Sequence, residues 1–98
     1  MTRDHVIICR GYADGRPCLA EGCYLYRFDP EFAEIGLVEW TRKLDEAMPV
    51  DRLEAVQMFR TVSTTRPVRD DGEPNRPLTA FNIEISPRKL VEEEDSHG

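Results

Sequence analysis

Three cysteines near the N-terminus are the first residues whose chemistry could serve a reaction. Cys9, Cys18 and Cys23 follow His5 closely in the sequence. A thiol beside an imidazole can act as a nucleophile, so Cys18 or Cys23 with His5 is a candidate catalytic pair. The same four side chains are of types that bind zinc, but no two cysteines have the short spacing of common zinc sites. The favoured prediction is reduced structural thiols, because Cys9 lies in the apolar run Val6–Cys9 and acts there as a small hydrophobe.

Other patterns that would indicate an enzyme are absent from the sequence. The six glycines do not form a phosphate-binding loop. His97 lies beside the C-terminus, where a catalytic side chain would be poorly positioned. Adjacent acids such as Asp70 and Asp71 are typical of solvated loops, and the segment around them lacks the ligand spacing of a calcium loop. We therefore predict a non-enzymatic protein with no catalytic residue, metal or cofactor, and a thiol-dependent enzyme is the alternative.

Arginine is the more informative charged residue, since it makes up 11 of the 13 basic residues. The predicted partner-binding residues lie at the end of a helix and in the long connection after it: Arg60, Arg66, Arg69, Asn75 and Arg76. The rigid guanidinium fork suits carboxylates and phosphates. One alternative is that these arginines pair locally with neighbouring acids, which would contribute little stability. Another is a nucleic-acid-binding accessory protein that uses this Arg-rich connection.

The charge distribution favours a protein partner over a nucleic acid. The chain has 98 residues, which predicts a single domain, and its net charge is −6. Glu92–Asp95 supply four of the negative charges, so the remainder is nearly balanced and lacks a basic footprint for nucleic-acid binding. No apolar run approaches the ~18 residues that span a bilayer. The N-terminus does not resemble a signal peptide, so we expect a cytoplasmic protein with no membrane contact, whose partner is an unidentified host protein.

Hydrophobic periodicity predicts an α+β fold with the order β-β-β-α-β. The predicted strands are His5–Arg10, Gly22–Phe28, Gly36–Thr41 and Leu78–Ile85, and the main helix is Asp51–Val62. Asp51 as N-cap and Glu54 three residues later form a capping-box pattern. The helix would pack on one face of a small antiparallel sheet of about four strands, in a two-layer sandwich.

Alternation along the strands predicts which side chains form the core. Tyr24, Tyr26 and Phe28 would share one face of the second strand. The sheet side of the core is predicted as Tyr24, Tyr26, Phe28, Trp40, Phe81, Ile83 and Ile85. The helix stripe is predicted as Leu53, Val56, Phe59 and Val62, widened by Ala55 and Met58. Residues 1–88 form the predicted domain, and residues 89–98 a mobile acidic tail.

Four segments together carry a family resemblance. They are YLYRFDPE, GLVEWT, DEAM and RPVRDDGEPNRPLTAFNIEI, which begin at Tyr24, Gly36, Asp45 and Arg66. Their pattern resembles a group of small uncharacterised bacterial proteins that are often found in prophages and other mobile elements. The resemblance covers about Tyr24 to Ile85. The group has no assigned activity, so no catalytic or binding residue is carried over.

The resemblance implies a class of function. Small acidic proteins of mobile elements without catalytic motifs often bind a host protein, and inhibitors of host defence systems, including anti-CRISPR proteins, are similar in size and charge. By this analogy we predict a protein-binding module of phage or mobile-element type, whose most concrete version is an inhibitor of host defence.

Overall fold

Four strands pair into one antiparallel sheet, and a helix follows both the third and the fourth strand. The computed structural model describes residues 3–32, 36–62, 68 and 70–97, with side chains up to residue 93. The elements are β1 (His5–Tyr12), β2 (Tyr24–Asp29), β3 (Leu37–Thr41), α1 (Arg52–Arg60), β4 (Phe81–Pro87) and α2 (Arg88–His97), with short 3-10 helices at Leu44–Glu46 and Pro77–Ala80. The predicted antiparallel sheet with one main helix is confirmed.

The strand order in the sheet is β3-β2-β1-β4. β1 and β2 are therefore interior strands, and β3 and β4 form the two edges. The chain leaves β3 at one edge and passes through α1 before it enters β4 at the opposite edge. This crossing places α1 over one face of the sheet, where Ala55 packs with Ile7 of β1 and Leu25 of β2.

β1 is buried on both of its faces, which explains its uninterrupted apolar run. Ile7 belongs to the core under α1. Val6 and Ile8 point to the other face, where they pack with Tyr24 and with Val91 of α2. Val91 of α2 therefore also covers part of the second face of the sheet, around β1.

The predicted start of α1 is confirmed in detail. The Asp51 carboxylate accepts a hydrogen bond from the Glu54 amide, and the Glu54 side chain accepts one from the Asp51 amide. This reciprocal pair satisfies two amides that the first helical turn leaves without partners. The predicted apolar stripe is wrong at one position: Leu53 is 55% exposed, because α1 turns Ala55 towards the sheet.

A bulge in β2 changes the predicted faces of that strand. The register with β3 shifts between Leu25 and Arg27, which adds one residue and reverses the alternation beyond it. Leu25 and Phe28 consequently share the α1 side, while Tyr24 packs on the other face. Tyr26 is 41% exposed, so its prediction as a core residue is wrong.

The C-terminal segment differs from the predicted acidic tail. Arg88–His97 forms α2 directly after β4. Val91 is only 5% exposed and packs against Val6 and Ile8, whereas Leu90 is 52% exposed. The side chains of residues 94–97 lie outside the described part. No helix in the described residues has both the length and the apolar character needed to cross a bilayer.

Candidate functional site

An open groove runs between α1 and the edge strand β4, and we call it the α1–β4 groove. Its volume is about 400 Å3. The described residues that line it are Val56, Phe59 and Arg60 from the helix and Phe81, Asn82, Ile83 and Ile85 from the strand. Five of these seven are apolar, so the groove offers a hydrophobic surface with a small number of polar groups, the usual composition of a binding site.

The backbone of β4 presents hydrogen-bonding groups to this groove's open side. The amides of Cys9 and His5 bond away from β4, to the carbonyls of Cys23 and Val50. In an antiparallel pair, the residues opposite them must also point their N–H and C=O groups away from the partner strand. Ile83 lies opposite Cys9, and Ile85 two residues on has the same orientation. Within the described part of the chain, only β1 pairs with β4.

Proline closes one end of this open edge. Pro87 lies opposite His5 and so falls in the outward-facing set with Ile83 and Ile85. It has no amide hydrogen, and strand prolines are found at edges for that reason. The edge available for pairing therefore lies between Phe81 and Ile85, beside the apolar floor of the groove.

Arg60 is the one charged residue among those described as lining the groove. It is exposed at the last position of α1, where a cation also interacts favourably with the helix dipole. Its guanidinium forms no ion pair with any residue that the structure describes. Arg60 therefore gives the described groove walls a positive charge, and a guanidinium can donate hydrogen bonds to an anionic group.

Aromatic side chains connect one end of the groove to the interior. The ring of Phe81 meets Trp40 of β3 edge-on at 5.1 Å, and it stacks on Tyr12 at 5.4 Å. Aromatic pairs in these arrangements add stability beyond their buried area. The indole Nε1 of Trp40 is buried with no hydrogen-bond partner among the described residues. Trp40 is the chain's single tryptophan, and its contact with Phe81 places it next to a groove residue.

The structure describes three of the five predicted partner-binding residues, and their role as a binding site stays a prediction. Arg60 lines the groove. Arg76 is exposed, and its carbonyl accepts hydrogen bonds from Thr79 at the start of the second 3-10 helix. Asn75 is half-buried. Arg66 and Arg69 lie outside the described residues, so their role stays a prediction.

The connection before β4 contains a turn. Val68 and Pro74 form an isolated antiparallel bridge, and the Asp71 carboxylate accepts a hydrogen bond from the Glu73 amide. This side-chain hydrogen bond two residues along the chain stabilises a turn. The segment from 70 to 76 is thus a folded turn, which is what a connector between the helix and the strand requires.

The thiols gather at one end of β1, away from the histidine. The Sγ atoms of Cys9 and Cys18 are 4.0 Å apart, and Cys23 is buried opposite Cys9. Burial raises the pKa of the Cys9 thiol above its ordinary value, and the adjacent Cys18 acts in the same direction. His5 begins the same strand four residues earlier, a separation of about 13 Å along β1.

This separation weakens the case for a thiol–imidazole pair. The His5 ring bonds to the Asp4 carboxylate at 2.7 Å. A base must reach its nucleophile within about 3 Å, and the two candidate thiols, Cys18 and Cys23, both lie beside Cys9 at the far end of β1. Across residues 3–32, 36–62, 68 and 70–97, no three His, Cys, Asp or Glu side chains are grouped so as to hold a metal ion.

Sequence reasoning missed most of the groove as a site. Val56, Phe59, Ile83 and Ile85 were predicted as core, and they are half-buried with one side open. The available signal was the position of the last alternating strand, which follows a crossover helix and is free to lie at an edge. No family model, curated protein or solved structure matches the chain.

Proposed function

We propose that this chain is a protein-binding module that binds its partner in the α1–β4 groove. The observation that carries the proposal is an open apolar groove beside a sheet edge whose backbone groups have no described partner. Apolar surface and unpaired strand edges both favour association with another chain. A single cation among the described groove residues makes a polyanion such as a nucleic acid a poorer fit, because such partners need several cations.

The exposed face of α1 extends the same surface. Leu53 lies one turn before Val56, so the two side chains are neighbours on the helix. Leu53 is 55% exposed. A partner seated in the groove would cover this leucine as well, which supplies apolar contact that the isolated chain leaves in water.

Capture from a bacterial lysate with matched variants tests the proposal. Val56→Asp places a charge in the groove, while Gln57→Asp makes the same change at the adjacent exposed position of α1. We expect wild type and Gln57→Asp to retain a common set of proteins that Val56→Asp loses. Thermal unfolding of all three checks that the variants are folded. An identical captured set for all three would contradict binding in the groove.

We further propose, from the sequence resemblance, that the partner is a component of a host defence system in the cytoplasm, where free thiols are the ordinary state. Expression of the chain in a bacterium with active CRISPR interference should restore plaque formation by a targeted phage. The Val56→Asp variant should not restore it. Unchanged plaquing with the wild-type chain would contradict this narrower version for the system tested.

A further inference from the structure

We infer that the partner segment in the α1–β4 groove is an extended, acidic peptide that adds a fifth strand to the sheet at β4. The inference deepens the proposed function and rests on it, since it names how the partner binds and with which chemistry. The segment would carry apolar side chains at alternate positions and a side-chain carboxylate on the same face, opposite Arg60.

The backbone of β4 favours a strand over a helix as the bound conformation. Ile83 and Ile85 each direct an N–H and a C=O group away from β1, at the spacing of an antiparallel or parallel ladder. A helix satisfies its own backbone groups and would leave these without a partner. An extended peptide pairs with them directly, which is how edge-strand addition provides affinity.

The groove also determines the side-chain pattern of the added strand. Successive side chains of a strand point to opposite faces of the sheet. Those on the α1 side would enter the apolar space between Val56, Phe59 and the β4 side chains, and those on the other side would lie next to Glu84, which is exposed and pairs with Arg10. Alternate apolar residues on the groove side, with polar residues between them, satisfy both faces.

Charge complementarity selects an acidic segment and disfavours a second copy of this chain. Arg60 lines the groove, and the other described lining residues carry no charge. If a second copy paired through its own β4, its groove face would bring Phe81, Ile83 and Ile85 but no carboxylate. A carboxylate on the incoming strand forms a charge-assisted hydrogen bond with Arg60.

Selection from a random library of displayed 12-residue peptides tests this side-chain pattern and does not require the partner to be identified. We expect the full chain to enrich peptides with apolar residues at alternate positions, and with Asp or Glu at another position of the same alternating set, so that all of these side chains share one face of the strand. Enrichment of apolar residues at helical spacing, of basic residues, or of no motif would overturn the inference. A dimer in sedimentation that excludes the peptides would also overturn it, in favour of a second copy.

Charge exchange tests the contact with Arg60. An enriched peptide is synthesised with both ends blocked, so that only its side chains carry charge. Arg60→Glu should weaken binding about tenfold or more and should prefer the same peptide with Lys in place of the acid. Arg52→Glu makes the same change at the exposed first position of α1 and should leave binding unchanged. Equal effects of the two variants would overturn the assignment of Arg60.

Amide hydrogen exchange separates strand addition from other binding in the groove. In the free protein the amides of Glu84 and Ser86 face β1 and should exchange slowly, while those of Ile83 and Ile85 should exchange fast. A bound peptide should protect Ile83 and Ile85. If a partner is lost in the Val56→Asp variant but leaves these two amides unprotected, the proposed function stands and strand addition is overturned. If the Val56→Asp variant retains every partner, the proposed function itself fails.

Discussion

The backbone of Gly36 lies directly against the ring of Pro77. A Cβ atom at position 36 would be 2.6 Å from Cγ and 3.0 Å from Cβ of this proline. Gly36 leads into β3 with φ of +77°, and Pro77 begins the 3-10 helix that leads into β4. Only glycine adopts this backbone conformation readily and leaves room for the ring. The contact therefore joins the start of one edge strand to the turn that precedes the other.

We expect Gly36→Ala to lower the free energy of unfolding by about 2–4 kcal/mol, from left-handed backbone strain together with displacement of the buried Pro77. Gly22→Ala is the matched control, because Gly22 has φ of +86° with nothing within 4 Å of an added Cβ. The free energy of unfolding of Gly22→Ala should fall by only about 1–2 kcal/mol, which is the cost of the left-handed backbone for alanine. Urea unfolding measures both variants, and equal losses would contradict a tight Gly36–Pro77 contact.

The docking of α2 makes the C-terminal segment matter for stability. Val91→Ala removes two methyl groups from the core formed with Val6 and Ile8 and should cost about 2 kcal/mol. Leu90→Ala, at the neighbouring exposed position, should cost less than about 0.5 kcal/mol. Urea unfolding compares the two. If Val91→Ala is as mild as Leu90→Ala, the segment behaves as the detached tail that its composition predicts.

The capping box at α1 gives a third prediction. Asp51→Ala removes the acceptor that lies 2.7 Å from the Glu54 amide and should destabilise the protein by about 1 kcal/mol. Asp51→Asn keeps a side-chain oxygen at the N-cap and should lose much less. Thermal unfolding of both variants tests this. A loss for Asn as large as that for Ala would show that the negative charge, and not the hydrogen bond, stabilises the helix start.

The raised pKa of the Cys9 thiol predicts a fall in stability at alkaline pH. The unfolded thiol ionises near its ordinary pKa of 9.0, while burial keeps the folded thiol protonated to higher pH. Stability from this group is fully present below pH 9 and decreases as pH rises towards the folded pKa, at up to about 1.4 kcal/mol per pH unit. Urea unfolding between pH 8 and 10.5 measures the slope.

Variants of two cysteines show which thiol causes this dependence of stability on pH. Cys9→Ala should reduce it, and Cys18→Ala should keep most of it, because burial is the larger cause of the shift at Cys9. The slope would belong to other groups if Cys9→Ala and the wild type lost stability in parallel.

Local sequence signals predicted the elements well because each depends on near neighbours. The capping box of α1 involves Asp51 and Glu54, three residues apart, and it is present as expected. The alternation of Phe81, Ile83 and Ile85 identified the last strand, although the chain forms a 3-10 helix at Pro77–Ala80 before it extends. For this reason the sequence could predict the strands, their antiparallel arrangement and the main helix.

The candidate site was harder to predict from the sequence, because it depends on which strands are neighbours in the sheet. Arg60 was predicted from its charge and lies in the groove. The apolar residues around it were predicted as ordinary core, because periodicity reports that a face is apolar and not whether anything covers it. The bulge at Tyr26 is another such case, since one extra residue moved Tyr24 and Leu25 to faces that the alternation did not indicate.

By itself, the sequence determined where the chain extends, turns and forms its main helix, because hydrogen bonds and periodicity over a few residues are encoded locally. Only the tertiary structure placed β1 in the interior, packed Val91 upon it and left β4 at an edge beside α1. Strand order, register and the packing of α2 are contacts between residues distant in sequence, and many orders are compatible with the same local pattern. The open backbone groups of Ile83 and Ile85, and hence the proposed binding mode, follow from that long-range choice.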